Sequence, residues 1–322
     1  MGANDYAYAV ARIRVLEKGL LKDSDIEQMI AMADASSVKS FLAEKGWGRN
    51  GSEESADDML RVEEDKIYDV IKELKVDPEI FDIFSYADTY HNLKAAIKSV
   101  CTKDEEGIFA EGSAIEGDEM MRIVRERDFK ALPEHMQKAA EEAYEALLHT
   151  RDGQLCDIII DKAALEAIEA KGKGSKEDMI RDWASQFVAV SDIRAAVRAA
   201  KTGKSRDFID RCLADSSRLD KEKLCRAAAT SVEECISYLE STEFSDAARA
   251  VEESPSAFER WGDNAIIEKI KPQRRNPFTA GPVIAYYLAR LNEIKMARIL
   301  ITAKANDLSE DAIRQRARAM YV

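Results

Sequence analysis

The sequence contains little proline and few histidines. Only six prolines and three histidines occur among its 322 residues. Scarce proline leaves long stretches free to form helices, and the abundant Ala, Glu, Lys, Arg, Leu and Ile favour helix. The histidines, His91, His135 and His149, have no other His or Cys three or four positions away, so helical metal-ligand spacing is absent. We therefore expect an all-α protein without a metal or cofactor.

Long hydrophobic runs and excess positive charge are also missing. No stretch approaches the roughly 20 apolar residues needed to cross a bilayer, and the most apolar window, 282–291, contains Arg290. The first residues lack a basic region followed by an apolar run, as a secretory signal would have. The net charge of −13 argues against general nucleic-acid binding, which needs a basic face. We expect a soluble protein that stays inside the cell and binds no nucleic acid.

The familiar signatures of chemistry are absent as well. The five cysteines are an odd number without a Cys-x-x-Cys pair, which predicts reduced, buried thiols and not a disulfide framework or zinc site. The segment 171–175 has the composition of a phosphate loop but neither its spacing nor a preceding strand. Asp57 and Asp58 begin an Asp-rich motif like that of isoprenoid synthases, but Arg61 stands where the last Asp belongs. We therefore predict no catalytic residues.

What the sequence does contain is a segment that occurs three times. In each copy a polar residue, an aliphatic residue and a base follow one another, at 92–94, 192–194 and 293–295. Apolar residues spaced by three and four surround each copy, which places them on one face of a long amphipathic helix. These stripes are Ile83/Ala87/Tyr90/Leu93/Ile97, Trp183/Phe187/Val190/Ile193/Val197 and Ile284/Leu288/Leu291/Ile294/Arg298. Only the last position of the third stripe, Arg298, breaks the pattern.

A short predicted hairpin of helices recurs too, most clearly at 37–42 and 231–236. A period of about 100 residues is longer than that of solenoid repeats, so it indicates three duplicated domains. We place these domains at 1–112, 113–212 and 213–322, with Gly- and Pro-rich linkers around them. The linkers are 49–56, 107–117, 171–175 and 271–282. No segment alternates as a strand would, so we expect essentially no sheet.

Further helices are predicted in the last third of the chain. The pattern of apolar residues predicts one continuous helix over 243–271 and a long helix over 282–305. A final helix over 311–320 is expected after Ser309, which can cap its first turn.

Two tryptophans and a basic loop are the candidate partner-contact residues. Trp47 and Trp261 each stand beside a glycine at a predicted helix end. Either could anchor a partner, or each could pack within its own domain. Lys271, Arg274 and Arg275 form a basic loop in an acidic protein. This loop is either a solvated linker or a contact for acidic protein loops or lipid headgroups, where each base contributes about 1 kcal/mol.

Three stretches carry a family resemblance. They are Tyr-Ala-Tyr-Ala-Val-Ala-Arg-Ile-Arg-Val at 6–15, Tyr-Ala-Asp-Thr-Tyr-His-Asn-Leu-Lys at 86–94, and the tail with Asn-Pro-Phe at 276–278 and Glu-Ile-Lys-Met-Ala-Arg-Ile at 293–299. In their order and spacing the chain resembles the C subunits of the prokaryotic V/A-type rotary ATPases, the counterparts of the d subunit in the vacuolar proton pump. The likeness spans the whole chain, and the threefold repeat is itself a trait of that family. Arg298 is a departure, because it puts a charge on the third stripe.

The resemblance implies a funnel of three similar helical domains around a pseudo-threefold axis. Such a subunit is non-catalytic and is monomeric within its complex. It sits on the membrane proteolipid rotor ring at the cytoplasmic face, and its hollow receives the foot of the central shaft, which is made by the D and F subunits. It thereby couples ATP turnover to proton or sodium translocation. The residues by themselves leave two alternatives open, a free-standing helical scaffold or adaptor and an all-helical enzyme.

Overall fold

The computed structural model describes residues 6–49, 55–102, 108–110 and 113–322. Every regular element in these ranges is a helix, which confirms the predicted all-α fold. The α-helices are α1 Tyr6–Leu16, α2 Asp23–Ile30, α3 Ala35–Glu44, α4 Ala56–Leu74, α5 Tyr86–Thr102, α6 Gly117–Glu126, α7 Glu134–Thr150, α8 Gly153–Gly174, α9 Asp178–Lys201, α10 Arg206–Cys212, α11 Lys221–Thr230, α12 Val232–Glu240, α13 Ser245–Glu253, α14 Pro255–Ile270, α15 Gly281–Ala305 and α16 Glu310–Arg314. Within the described ranges, no helix combines the length and the apolar character that crossing a membrane requires.

Local capping explains where many of these helices begin. Eight of them follow a Ser or Asp whose side chain accepts a hydrogen bond from a backbone N–H two or three residues further on. Such a bond satisfies one of the backbone donors that a helix start leaves without a partner. The eight residues are Asp34, Ser55, Asp152, Ser205, Asp220, Ser231, Ser254 and Ser309. Helix starts are therefore encoded locally along this chain.

The described helices group into two compact units. Unit 1 comprises residues 1–78 and 249–322, and unit 2 comprises residues 79–248. Unit 1 thus joins the beginning and the end of the chain. The division into domains at 1–112, 113–212 and 213–322 stays a prediction, and the first of its boundaries falls at residues outside the described ranges. The same holds for most of the predicted linker at 49–56 and part of that at 107–117.

In unit 2 the long helices α5, α8 and α9 form the framework. Helix α5 packs against α6, α7 and α8, and α9 packs against α8, α10, α11 and α12. The apolar stripe of α5 supplies Tyr90, Leu93 and Ile97 to a core shared with α6, α7 and α8. Helices α8 and α9 approach closely at Gly172, where an added Cβ would lie 2.3 Å from the Cβ of Ala184. The absence of a side chain at Gly172 therefore permits this packing.

In unit 1 the central element is α15. It packs against α1, α3, α4 and α14, and every residue from Gly281 to Arg290 is buried. A helix that is apolar on all sides is stable only when other elements surround it. The most apolar window of the sequence is therefore a core helix.

The repeated segment places a buried polar side chain at the same position of three long helices. Asn92, Asp192 and Asn292 each hydrogen-bond the backbone of a residue that follows their helix. Asn92 and Ala110 exchange two bonds of 3.0 and 2.7 Å. The Ala214 N–H donates to Asp192 at 2.9 Å, and Asn292 donates to the Ala319 carbonyl at 3.0 Å. Side chains 100 residues apart thus each hold a later segment of the chain against a long helix.

The structure shifts the third copy of this repeat by one residue. The sequence pattern placed Glu293 opposite Asp192, because an aliphatic residue and a base follow each of them, whereas the equivalent hydrogen bond belongs to Asn292. Glu293 instead accepts from the backbone N–H of Leu21 and from the guanidinium of Arg290. Similarity of residue type was therefore a poorer guide to register than the hydrogen bond.

Two predicted helices are wrong in extent. The helix expected over 243–271 is two helices, since Ser254 caps a new helix whose first residue is Pro255, a position that proline favours because its missing N–H is not needed there. The last helix ends at Arg314 instead of residue 320. Beyond it, backbone N–H groups donate to side chains of distant helices, as that of Ala319 does to Asn264. Tertiary bonds therefore replace the helical ones in the tail.

The close approach at Gly172 can be tested against a second glycine of α8. Gly172→Ala places a methyl group against Ala184 and should destabilise the protein by about 1–3 kcal/mol, the usual cost of overpacking. Gly174→Ala meets nothing within 4 Å and should be neutral or stabilising by up to about 1 kcal/mol, because Ala is the better helix former. Urea unfolding of both variants measures the difference. Equal stabilities would contradict the packing argument.

Candidate functional site

The basic loop is a short 3-10 helix, Lys271–Arg275, between α14 and α15. The guanidinium of Arg14 on α1 holds it in place by donating to the carbonyls of Gln273 at 2.7 Å and Asn276 at 3.1 Å. Arg14 also bonds the carboxylate of Glu17. Two backbone carbonyls fixed by one guanidinium make the loop a defined feature of the surface.

The loop directs its charges outward. Arg274 and Arg275 are exposed, and Lys271 is half-buried and pairs with Glu268 at 2.5 Å. The guanidinium of Arg274 lies 5.9 Å from the ring centre of Tyr321, within the range of a cation–π contact. Phe278 follows the loop with 58% of its surface exposed. Exposed bases beside an exposed aromatic ring suit an acidic partner that also has an apolar part.

The two tryptophans lie in different surroundings. Trp47 is only 4% exposed, and the guanidinium of Arg290 lies 5.1 Å from its ring centre. The glycines on either side of it have positive φ angles, +89° at Gly46 and +76° at Gly48, as expected where a helix ends. The geometry of Trp47 therefore favours packing within its own unit.

Trp261 does not stand at a helix end as predicted. It lies inside α14, stacks on Phe258 with 5.7 Å between ring centres, and is partly exposed. Of the five candidate residues, the structure thus brings Lys271, Arg274 and Arg275 into one loop and puts Trp261 on the helix before it. Trp47 is buried beneath Arg290. Contact of any of them with a partner stays a prediction.

A buried ionic cluster lies within unit 1. Arg290 on α15 bonds Glu63 on α4 and Glu293 on its own helix, each at 2.5 Å. The other oxygen of Glu63 accepts from the N–H of Gly48 at 2.9 Å, and that of Glu293 accepts from the N–H of Leu21. All three charged side chains are less than 10% exposed. The cluster ties α15 to two turns and to a helix from the start of the chain.

Burial dominates the electrostatics of this cluster. It raises the pKa of the Glu293 carboxyl, because removal from water disfavours the charged form. Arg290 and the Leu21 N–H act in the opposite direction by stabilising the carboxylate. Glu63 also pairs with Lys66 at 2.7 Å, whereas Glu293 pairs with Arg290. Sequence reasoning missed the cluster, although Arg290 inside the most apolar window was a signal for it.

Unit 2 contains a cavity of about 860 Å³ between α5, α8, α9 and α10. Apolar residues such as Ile158, Leu165 and Phe187 line it together with several basic residues. Lys94 pairs with Asp161 at 2.6 Å, and Lys204 bonds Gln154 at 3.0 Å. In the part of the chain that the structure describes, no group of three or more His, Cys, Asp or Glu side chains could hold a metal ion.

Comparison with known proteins finds relatives along nearly the whole chain. The family model described as ATP synthase (C/AC39) subunit matches residues 9–316. The C subunit of the V-type sodium ATPase of Enterococcus hirae is 22% identical over 317 residues, which cover 96% of this chain and 97% of the relative. The C subunit of the A-type ATP synthase of Methanocaldococcus jannaschii is 23% identical over 342 residues, covering 96% and 85%.

The buried cluster predicts a contrast between two arginines of α15. Arg290→Met leaves two buried carboxylates without their shared partner and should cost about 3–5 kcal/mol of unfolding free energy. Arg298→Met removes an exposed pair with Asp57 and should cost less than about 1 kcal/mol. Urea denaturation at neutral pH measures both. Adding Glu63→Gln and Glu293→Gln to Arg290→Met should restore part of the loss, and similar losses for the two single variants would contradict the argument.

Proposed function

This chain belongs to the ATP synthase (C/AC39) subunit family, and we propose that it is the rotor component that couples the central shaft of a V/A-type ATPase to the membrane proteolipid ring. The family membership places it in such a complex and confirms the resemblance drawn from the repeat and the motifs. In the proposed role it links ATP turnover to proton or sodium translocation without catalysing either step. It would lie at the cytoplasmic face of the membrane through its contact with the ring.

The observation that carries this proposal is the extent of the match. Residues 9–316 fit one family model, and the two relatives are covered over 97% and 85% of their own lengths. The match is thus to a whole subunit and not to one shared domain. Because both relatives are named as C subunits of V-type or A-type complexes, the same position in the assembly is the simplest assignment for this chain.

The internal construction of the chain supports a mechanical role. A part that transmits torque must keep its shape under load, and broad helical packing with buried polar ties provides this. Helix α15 is buried along its first ten residues and bonded through Arg290 to α4. The recurring bonds at Asn92, Asp192 and Asn292 support the predicted threefold arrangement, in which the three repeats form a funnel for the D and F subunits of the shaft.

The basic loop is our proposed partner contact. Arg274 and Arg275 are exposed there, Lys271 begins the same loop, Trp261 lies on the helix before it, and Phe278 adds an apolar group. An acidic loop with an apolar residue, on the ring or on the shaft, would match this combination. Trp47 contributes differently in this proposal, since its buried ring supports Arg290 from within.

The complex itself tests the proposed function. The tagged chain, purified from its own cells in mild detergent, should bring down both the shaft subunits and the proteolipid ring, identified by mass spectrometry. A free-standing scaffold would instead be recovered with partners but without any membrane ring. Recovery without shaft and ring subunits would overturn the rotor assignment.

The loop has its own prediction. Arg274→Glu with Arg275→Glu reverses two exposed charges and should lower the recovery of shaft or ring subunits at least tenfold, since like charges then face the acidic partner. The matched control is Arg122→Glu with Arg226→Glu, two exposed arginines of unit 2, which should recover normal amounts. Thermal unfolding should show that both double variants are folded. Unchanged recovery by the loop variant would contradict the contact.

A further inference from the structure

Among the three equivalent polar positions, only one carries a group that titrates near neutral pH. Asn92 and Asn292 are neutral amides, whereas Asp192 is a carboxylic acid. All three are buried, at 0%, 8% and 2% exposure respectively. At two of the three positions, therefore, an uncharged side chain is enough to make the hydrogen bond. The acid at the second position adds a property that the other two lack.

Asp192 joins α9 to the segment that follows α10. Its Oδ1 atom accepts the N–H of Ala214 at 2.9 Å, two residues after the end of α10 at Cys212. A buried carboxylate usually needs two or three hydrogen bonds to be stabilised in its charged form, and this is the only bond to Asp192 among the described residues. The junction therefore tolerates the neutral acid better than the ion.

The charged groups around Asp192 come from three neighbouring elements. Glu169 on α8 and Asp215 in the segment after α10 are acidic, and Lys221 on α11 is basic. Lys221 also faces Asp210 at 3.6 Å, so its charge is shared. Arg218, in the segment between α10 and α11, bonds Gln186 and pairs with Glu243. The local balance is thus acidic.

Glu169 shows that this region is short of donors. It is 4% exposed; one of its oxygens accepts from the N–H of Ser217 at 3.0 Å and forms an ion pair with Lys173 at 3.3 Å. Its other oxygen, Oε2, is buried without a hydrogen-bond partner. A second ionised acid beside it is therefore costly.

We propose that Asp192 is a proton-operated latch, which holds the segment 213–220 closed on α9 while it is protonated and lets that segment open to water when it ionises. The protonated acid resembles the amides at positions 92 and 292, and its carbonyl oxygen still accepts the Ala214 N–H. The carboxylate gains by local opening, because water supplies the missing hydrogen bonds. This device goes beyond the coupling role and does not depend on it.

The direction of the pH effect follows from burial. Burial raises the pKa of Asp192 from 3.8 to about 7, with the Ala214 N–H and Lys221 opposing the shift and Asp215 and Glu169 adding to it. Below 3.8 both closed and open forms are protonated, so nothing changes. Between 3.8 and about 7 the closed form keeps a proton that the open form has lost, so rising pH removes stability from the closed junction. Closure is therefore weakest above neutral pH.

Hydrogen exchange followed by mass spectrometry tests the latch in the full-length protein. Between pH 6 and pH 8, and after correction for the intrinsic exchange rate, protection of peptides covering 213–220 should fall about tenfold, the ratio expected for a group whose pKa is about 7 in the closed form and 3.8 in the open form. The amide of Ala319, at the equivalent junction, is the internal control and should keep constant protection. A flat response at 213–220, or an equal fall at 319, would overturn the proposal.

Two substitutions separate Asp192 from its acidic neighbour. Asp192→Asn reproduces the residue found at the two equivalent positions, so it should fold and should abolish the pH dependence of exchange at 213–220. Glu169→Gln should leave that dependence in place, with its midpoint moved to lower pH. If Glu169→Gln abolishes the dependence and Asp192→Asn does not, the latch is assigned to the wrong acid and the proposal fails.

Discussion

The position of Arg290 between Glu63 and Glu293 is the constraint on which unit 1 depends. A guanidinium cannot be buried without partners, and here both carboxylates are as buried as the cation itself. One partner lies 227 residues earlier in the chain. Satisfying this one side chain therefore requires that the last long helix and the first third of the chain fold together. Together with the packing of α15 against α1, α3 and α4, this cluster joins the two ends of the chain in unit 1.

A second constraint is a hydrogen bond between a buried polar side chain and the backbone, which occurs at three places in the chain. On each of the long helices α5, α9 and α15 a buried polar side chain bonds the backbone of a segment that follows later in the chain and packs back on that helix. The amides of Asn92 and Asn292 and the carboxyl group of Asp192 make this same kind of hydrogen bond. Because an acid changes its charge with pH and an amide does not, a repeated structural device acquires a different response at one of its three positions.

These features fit a subunit whose work is mechanical. Long helices, close contacts such as that between Gly172 and Ala184, and buried polar ties resist deformation, whereas the chemistry of the assembly belongs to other subunits in our proposal. The exposed basic loop is held to α1 through Arg14, so its charges are presented from a fixed position. A stable body with defined contact points is what transmission of torque requires.

The sequence by itself determined the all-helical fold and the eight helix starts that a Ser or Asp side chain caps, because helical periodicity and capping depend on residues only a few positions apart. Pro255 is a local signal for the break between α13 and α14, but the apolar pattern over 243–271 predicted one continuous helix. The tertiary structure alone decided the ion cluster of Arg290, the burial of Trp47, the register of Asn292 and the early end of the last helix. Each of these depends on a partner far away in the chain, and a local pattern carries no information about which distant groups will meet.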